Sequence, residues 1–156
     1  MTFPPGIPIP TEQRISVAAP AAGNDWSYTV PSNAWLRLVS GFATLMTSPT
    51  AANRYPGTVV TDSSSVEVGE LENSPITASI TQKIVYTISH NWQTGGSNRW
   101  TLFLALPYFV FSPGYTVGSI TPNLQSGDRY SGIELLFERW TSQPFVDAWT
   151  PSLRVR

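Results

Sequence analysis

The stretch that most constrains the fold runs from Ile76 to His90, ITASITQKIVYTISH. Apolar side chains occupy alternate positions along it, and mostly polar ones lie between them, with Gln82 and Val85 as the two exceptions. Side chains of a β-strand point alternately to opposite faces, so this period of two predicts a strand with one buried and one solvated face. The stretch would extend for roughly 40 Å or more, which is long for one strand and predicts a bend or bulge near Gln82.

A half-buried strand needs a second apolar layer, and no segment of the chain has a convincing helical period. Seven further segments are rich in β-branched and aromatic residues and are bounded by turn residues: 26–30, 34–47, 54–61, 66–71, 100–106, 116–121 and 130–140. The prediction is therefore an all-β chain, a two-sheet antiparallel β-sandwich of about eight strands and of jelly-roll type. Gly41, inside the second of these segments, predicts a bulge or a close backbone contact.

The 156 residues fit one domain flanked by two extended segments. We expect a proline-rich N-terminal arm and loop over 1–24, the sandwich over 25–142 and an extended tail over 143–156, because proline fixes φ and removes hydrogen-bond donors. Apolar residues among these prolines are candidate interface anchors: Phe3, Ile7, Ile9, Phe145, Val146 and Trp149. The N-terminal arm either packs on its own domain or lies on a neighbouring subunit.

The surface is predicted to carry few charges. Charged residues make up 12% of the chain, about half the usual share of roughly 25%. This favours a homo-oligomer whose surface is covered by other subunits, and the alternative is a neutral, polar extracellular surface. The nine basic residues form no stripe, so we expect no nucleic-acid contact. There is no cysteine, no signal-peptide pattern at the start and no apolar run long enough for a membrane span, so we expect folding in the cytoplasm.

Catalytic patterns are sparse. The single histidine, His90, lies at a predicted strand end, where a loop or capping role is the more common one. Glu134 and Glu138 would lie about 13 Å apart on one strand, which is outside the roughly 5–9.5 Å of glycosidase carboxyl pairs. Glu70 and Glu72, at about 7 Å, fall inside that range, but a solvated edge strand is the simpler interpretation. We therefore expect no catalytic residues.

Metal and sugar sites receive similarly weak support. Asp62 with the serines at 63–65 is too small a cluster of oxygens to predict a calcium site, and one histidine without cysteine argues against a zinc site. We expect no metal and no cofactor. Trp92 and Trp100 flank the glycine-rich turn 93–98, and their rings are candidates for stacking on a sugar; the alternative is that they fill the sandwich core.

Several short phrases of the chain carry a family resemblance: DWS at 25–27 with VP at 30–31, WLRL at 35–38, ATL at 43–45, TS at 47–48, AANR at 51–54, PGY at 113–115, NLQSGD at 123–128 and LLFERW at 135–140. They resemble a broad group of small virion proteins of tailed bacteriophages. Together they are spread over 25–140, and none is a catalytic motif. The resemblance implies a decoration, cement or minor capsid protein.

The main hypothesis is thus a bacteriophage virion structural protein without enzymatic activity, which self-associates and binds the major capsid or other virion proteins. The alternative is a carbohydrate-binding module on a virion tail or fibre, which contacts the host surface through Trp92 and Trp100. Neither hypothesis requires a nucleic acid or a membrane as a direct partner.

Overall fold

Ten β-strands make up the part of the chain that the structure describes. The computed structural model describes residues 9–71, 75–87, 93–96, 99–105 and 110–144, and the side chains of all of these except 71, 87, 93–96 and 99–105. No helix occurs within these ranges. The strands are β1 (Thr11–Val17), β2 (Ser27–Thr29), β3 (Trp35–Met46), β4 (Gly57–Thr61), β5 (Glu67–Leu71), β6 (Thr81–Thr87), β7 (Gln93–Gly96), β8 (Arg99–Ala105), β9 (Thr116–Ile120) and β10 (Arg129–Trp140).

Eight of these strands form a jelly roll. The order β1-β10-β3-β6 makes one antiparallel array, and the order β2-β9-β4-β5 makes the other. The chain behaves as a long antiparallel ribbon with pairs β1–β10, β2–β9, β3–β6 and β4–β5, which rolls up so that β10 meets β3 and β9 meets β4. The predicted all-β, two-sheet sandwich of jelly-roll type is confirmed.

Two strands are added to this frame. β8 runs parallel to β6, from Lys83 opposite Thr101 to Thr87 opposite Ala105, and β7 pairs with β8 in antiparallel fashion. They widen the first array to a six-stranded sheet. The predicted strand at 100–106 is this β8, and its parallel pairing is the one departure from an antiparallel sandwich in the described part of the chain.

Apolar and aromatic side chains of the two sheets meet in the interior. The rings of Trp26 and Tyr86 lie edge to face with centroids 5.8 Å apart, and those of Tyr28 and Phe137 lie 5.5 Å apart. Such pairs add to the free energy of burying their surface. The cluster of buried side chains contains Trp26, Val30, Ala34, Leu36, Leu38, Ala43, Leu45, Ile76, Ile84, Tyr86, Phe111, Val117, Tyr130, Ile133, Leu135 and Phe137.

The alternating stretch is shorter than predicted. β6 begins only at Thr81, because Ala78 and Ser79 form a turn in which Ser79 has a φ of +58°. From there the alternation holds: Gln82, Ile84 and Tyr86 are buried, while Thr81 and Lys83 are exposed. The expected interruption near Gln82 therefore lies three residues earlier, and Gln82 itself is only 3% exposed. Residues 88–90 lie outside the described residues.

The sandwich also begins earlier than predicted. Residues 11–17, which the sequence analysis placed in the N-terminal arm and loop, form β1 and pair with β10 over seven consecutive positions. Ile15 and Val17 pack against the core, and the polar Thr11 and Gln13 occupy the other positions of their parity within the strand. Two apolar positions were too few to reveal a period of two, so the boundary at residue 25 is corrected to residue 11.

A close backbone contact is confirmed at Gly41. A Cβ atom added there would lie 2.7 Å from the Glu134 carbonyl oxygen, closer than real Cβ contacts allow. The register of β10 against β3 shifts twice, between Ser131 and Glu134 and between Leu136 and Phe137. Only glycine lets the two longest strands approach at this point.

The two ends of the sandwich have different contents. Thr11 lies opposite Arg139, and Trp35 lies opposite Trp140, so the start of β1 and the end of β10 share one end, which we call the arm end. The connections β1–β2, β3–β4, β5–β6 and β9–β10 lie at the opposite end, the loop end. The chain segments before β1 and after β10 therefore both join the sandwich at the arm end.

Candidate functional site

A buried ion pair holds the loop end together. Arg54 Nε donates to Asp128 Oδ2 at 2.8 Å, and Arg54 Nη2 donates to Asp128 Oδ1 at 3.0 Å. Both side chains are 0% exposed. The remaining guanidinium donors reach the carbonyl oxygens of Thr50 and Ala52 and the hydroxyl of Ser48. All five guanidinium N–H groups are therefore used inside the protein.

The carboxylate of this pair is equally saturated. The backbone N–H groups of Ser48 and Gln125 donate to Asp128 at 2.7 and 2.8 Å. Burial alone raises the pKa of Asp128, but the hydrogen bonds from Arg54, Ser48 and Gln125 outweigh it and lower the pKa to about 2. Because every donor and acceptor is satisfied internally, this pair fixes the β3–β4 and β9–β10 connections relative to each other and has no atom left for a ligand.

A second polar network ties the β1–β2 connection to β9. Asp25 accepts hydrogen bonds from the hydroxyls of Ser119 and Thr121, both at 2.7 Å, and from the Thr121 backbone N–H at 3.1 Å. The Thr121 and Tyr130 hydroxyls lie 2.7 Å apart. Thr121 gives its only hydroxyl hydrogen to Asp25, so Tyr130 donates to Thr121. Burial raises the pKa of Tyr130 and keeps its hydroxyl protonated.

The two glutamates of β10, Glu134 and Glu138, each pair with an arginine rather than with each other. Glu134 accepts a hydrogen bond from Arg14 Nε at 2.9 Å, which lowers the pKa of Glu134, and Glu138 forms an ion pair with Arg37. Each glutamate of β10 therefore has its own arginine. Glu70 lies on the exposed strand β5, and Glu72 and His90 lie outside the described residues.

The Asp62 side chain stabilises a turn through hydrogen bonds to the backbone. One of its oxygens, Oδ1, accepts hydrogen bonds from the backbone N–H groups of Ser64 and Val66, at 2.8 and 2.9 Å. This caps the tight turn between β4 and β5. Within the described ranges, no three His, Cys, Asp or Glu side chains lie close enough together to hold a metal ion. Nor does the described part of the chain contain a helix long and apolar enough to cross a membrane.

Most of the predicted interface and sugar-stacking residues cannot be placed. Phe3, Ile7, Phe145, Val146, Trp149 and Trp92 lie outside the described residues, and Trp100 is described only as a backbone position of β8. Ile9 is the exception, and its side chain is 72% exposed next to the arm end. These assignments stay predictions, as does the sugar-binding alternative.

The outer face of the six-stranded sheet carries a shallow groove of about 430 Å³. Its lining residues are Arg14, Ser40, Gly41, Phe42, Val85, Glu134, Leu135 and Leu136. Phe42 and Val85 face outward from adjacent strands, and the Lys83 ammonium lies 4.5 Å from the centroid of the Phe42 ring. The groove combines an apolar floor with a charged rim, which suits contact with another protein better than chemistry on a small molecule.

No protein-family model matches this chain, and neither curated proteins nor solved structures match it. The resemblance to phage virion proteins therefore stays a prediction, and the function is argued from surfaces and topology.

Sequence reasoning missed the feature that organises the loop end. Arg54 and Asp128 are 74 positions apart, and the local pattern shows only that Arg54 begins a predicted strand and that Asp128 precedes another. Only 12% of the residues are charged, and this scarcity was the available signal that a charged side chain could have a structural role.

Proposed function

We propose that this protein is a structural component of a bacteriophage virion, a decoration, cement or minor capsid protein that self-associates and binds the particle surface. The observation that carries the proposal is the position of the two chain ends. The segments before β1 and after β10 leave the jelly roll at the same end, from hydrogen-bonded neighbouring strands.

This arrangement suits an assembly protein on physical grounds. Both arms, in which the apolar anchors are predicted, begin at the same end of the sandwich as Ile9. Burying one large apolar side chain stabilises a contact by roughly 1.5–3 kcal/mol. Prolines in the arms reduce the conformational entropy lost on docking. The groove on the outer face of the six-stranded sheet adds an apolar surface on the sandwich itself.

The fold is compatible with this role but does not by itself distinguish it from other functions. Jelly rolls occur in viral capsid proteins, lectins and cupins, so the proposal depends on surfaces rather than on fold class. The described polar clusters at the loop end are saturated internally, which favours a structural function over catalysis in that region.

Electron microscopy of the intact particle is the direct test, and it should show density for the sandwich on the particle surface. A biochemical version uses purified protein mixed with particles that lack it, with co-sedimentation as the readout. A glycan array run in parallel tests the alternative. Binding to a glycan without particle binding would replace the proposal with the carbohydrate-binding function.

A further inference from the structure

We infer that two copies of this protein pair through the free edges of β1, in antiparallel orientation about a two-fold axis at Gln13, so that the six-stranded sheets of both copies join. The inference rests on the proposed self-association and names the surface that produces it.

β1 is the most regular edge of the sandwich. It pairs with β10 over seven consecutive residues without a register shift, and no described strand lies on its other side. It contains neither proline nor glycine, and the side chains of Thr11, Glu12, Arg14 and Ser16 are exposed. Such an edge presents a row of backbone N–H and C=O groups that a second strand can use.

The corresponding edge of the other sheet is less suited to pairing. β5 has a register shift against β4 between Val60 and Thr61, so it carries a bulge. If two β5 strands paired about Gly69, Glu67 would lie opposite Leu71 and Glu70 opposite Val68 of the second copy, so neither carboxylate would face a charge of opposite sign. β2 offers only three residues.

The charges of β1 select one two-fold register. With Gln13 opposite itself, Glu12 faces Arg14 of the second copy, and this pair forms twice because of the symmetry. An axis at Glu12 or at Arg14 instead places that charge opposite itself. The register about Gln13 is therefore the one that satisfies both charges.

The side chains needed for these pairs are available. Glu12 lies opposite Glu138 of its own sheet, and no ion pair of Glu12 is found among the described residues. Arg14 is 71% exposed and uses only Nε on Glu134, so its two terminal nitrogens can reach a second carboxylate. One arginine can thus bridge Glu134 of its own copy and Glu12 of the other.

The same register gives Ile9 an apolar neighbour. Counting outward from Gln13, Ile9 falls opposite Val17 of the second copy, and Thr11 falls opposite Ile15. Ile9 is highly exposed in one copy alone, and it shares the parity of Ile15 and Val17, which pack on the core. Pairing thus also covers the first apolar residue of the described N-terminal arm.

A disulfide test exploits the absence of cysteine from the chain. Residues directly opposite on paired strands have Cα atoms about 4.5–5.5 Å apart, within the range that a disulfide spans. Under mild oxidation Gln13→Cys should become a covalent dimer, while the control Val68→Cys on β5 should form no covalent dimer. Equal cross-linking of the two variants, or none of Gln13→Cys, overturns the inference.

Charge reversal provides a test without oxidation. Glu12→Arg and Arg14→Glu should each weaken dimerisation roughly tenfold in sedimentation, since each places like charges opposite each other twice. The double variant should regain most of the affinity, because Arg at 12 then faces Glu at 14. The inference is overturned if the double variant dimerises as weakly as the weaker single variant, or if the single variants dimerise as well as wild type. Thermal melting checks that each variant folds.

The experiments distinguish failure of the β1 pairing from failure of the virion function. If wild-type protein binds particles but Gln13→Cys does not cross-link, the virion function is retained and the β1 pairing is rejected. If wild-type protein pairs through β1 but is absent from particles, the pairing is retained and the virion function is rejected.

Discussion

The loop end and the arm end of the sandwich are built from different chemistry. At the loop end, Arg54, Asp128 and Asp25 are held by internal hydrogen bonds. At the arm end, the ion pair between Arg37 and Glu138 is partly exposed, and the Arg37 guanidinium lies 5.9 Å from the centroid of the Trp140 ring. The difference indicates that internal contacts close one end, while the chain segments before β1 and after β10 join the sandwich at the other.

The largest effect is expected from Asp128→Ala. Removing the carboxylate leaves the Arg54 guanidinium buried without its counter-charge, which costs about 3–5 kcal/mol of unfolding free energy. The matched control is Glu134→Ala, which breaks the exposed ion pair with Arg14 and should lower the unfolding free energy far less. Urea denaturation measures both. Equal losses would mean that the buried pair does not organise the loop end.

Acid should weaken the loop end selectively. The hydrogen bonds from Arg54, Ser48 and Gln125 lower the pKa of Asp128 from its ordinary value to about 2, so the folded state binds this proton less readily than the unfolded state does. The stabilisation is complete above about pH 5 and is lost as the pH falls through about 2, and it amounts to about 2 kcal/mol. Denaturation curves at pH 7, 4 and 2 should show that the difference in unfolding free energy between wild type and Asp128→Asn becomes smaller as the pH falls. A gap that stays constant over this range contradicts the assignment.

A smaller loss is expected from Thr121→Val. The substitution removes the hydroxyl that links Tyr130 to Asp25, and the buried Tyr130 hydroxyl loses its acceptor, at a cost of about 1–2 kcal/mol. Thr29→Val is the control, since Thr29 shares an exposed hydroxyl contact with Thr116 and should change stability by less than about 0.5 kcal/mol. Thermal melting of both variants gives the comparison, and a harmless Thr121→Val would show that water replaces the missing partner.

Local patterns predicted the jelly roll but not its connections. The alternation around Ile84 and Tyr86 correctly identified a strand with one buried face, because burial and period are both local. The turn at Ser79 was missed because its left-handed φ has no glycine to signal it. The parallel pairing of β8 and the Arg54–Asp128 pair depend on contacts between distant residues, and no periodicity encodes those.

The last prediction concerns the arm end, where stability should change least and assembly most. Phe145→Ser with Trp149→Ser, or deletion of 1–8, should leave the melting temperature within about 2–4 °C of wild type, the shift that about 1 kcal/mol produces in a chain of this size. The same variants should lose most of their co-sedimentation with particles, because the anchors that the arms carry are gone. Ile15→Ser is the control: Ile15 packs against the core from β1, so its loss should lower the melting temperature clearly. If the arm variants melt as early as Ile15→Ser, the arms are parts of their own sandwich, and the contrast between the loop end and the arm end fails. If they melt normally and still bind particles normally, the arms have no role in assembly, and particle binding must use the outer groove or the β1 edge instead.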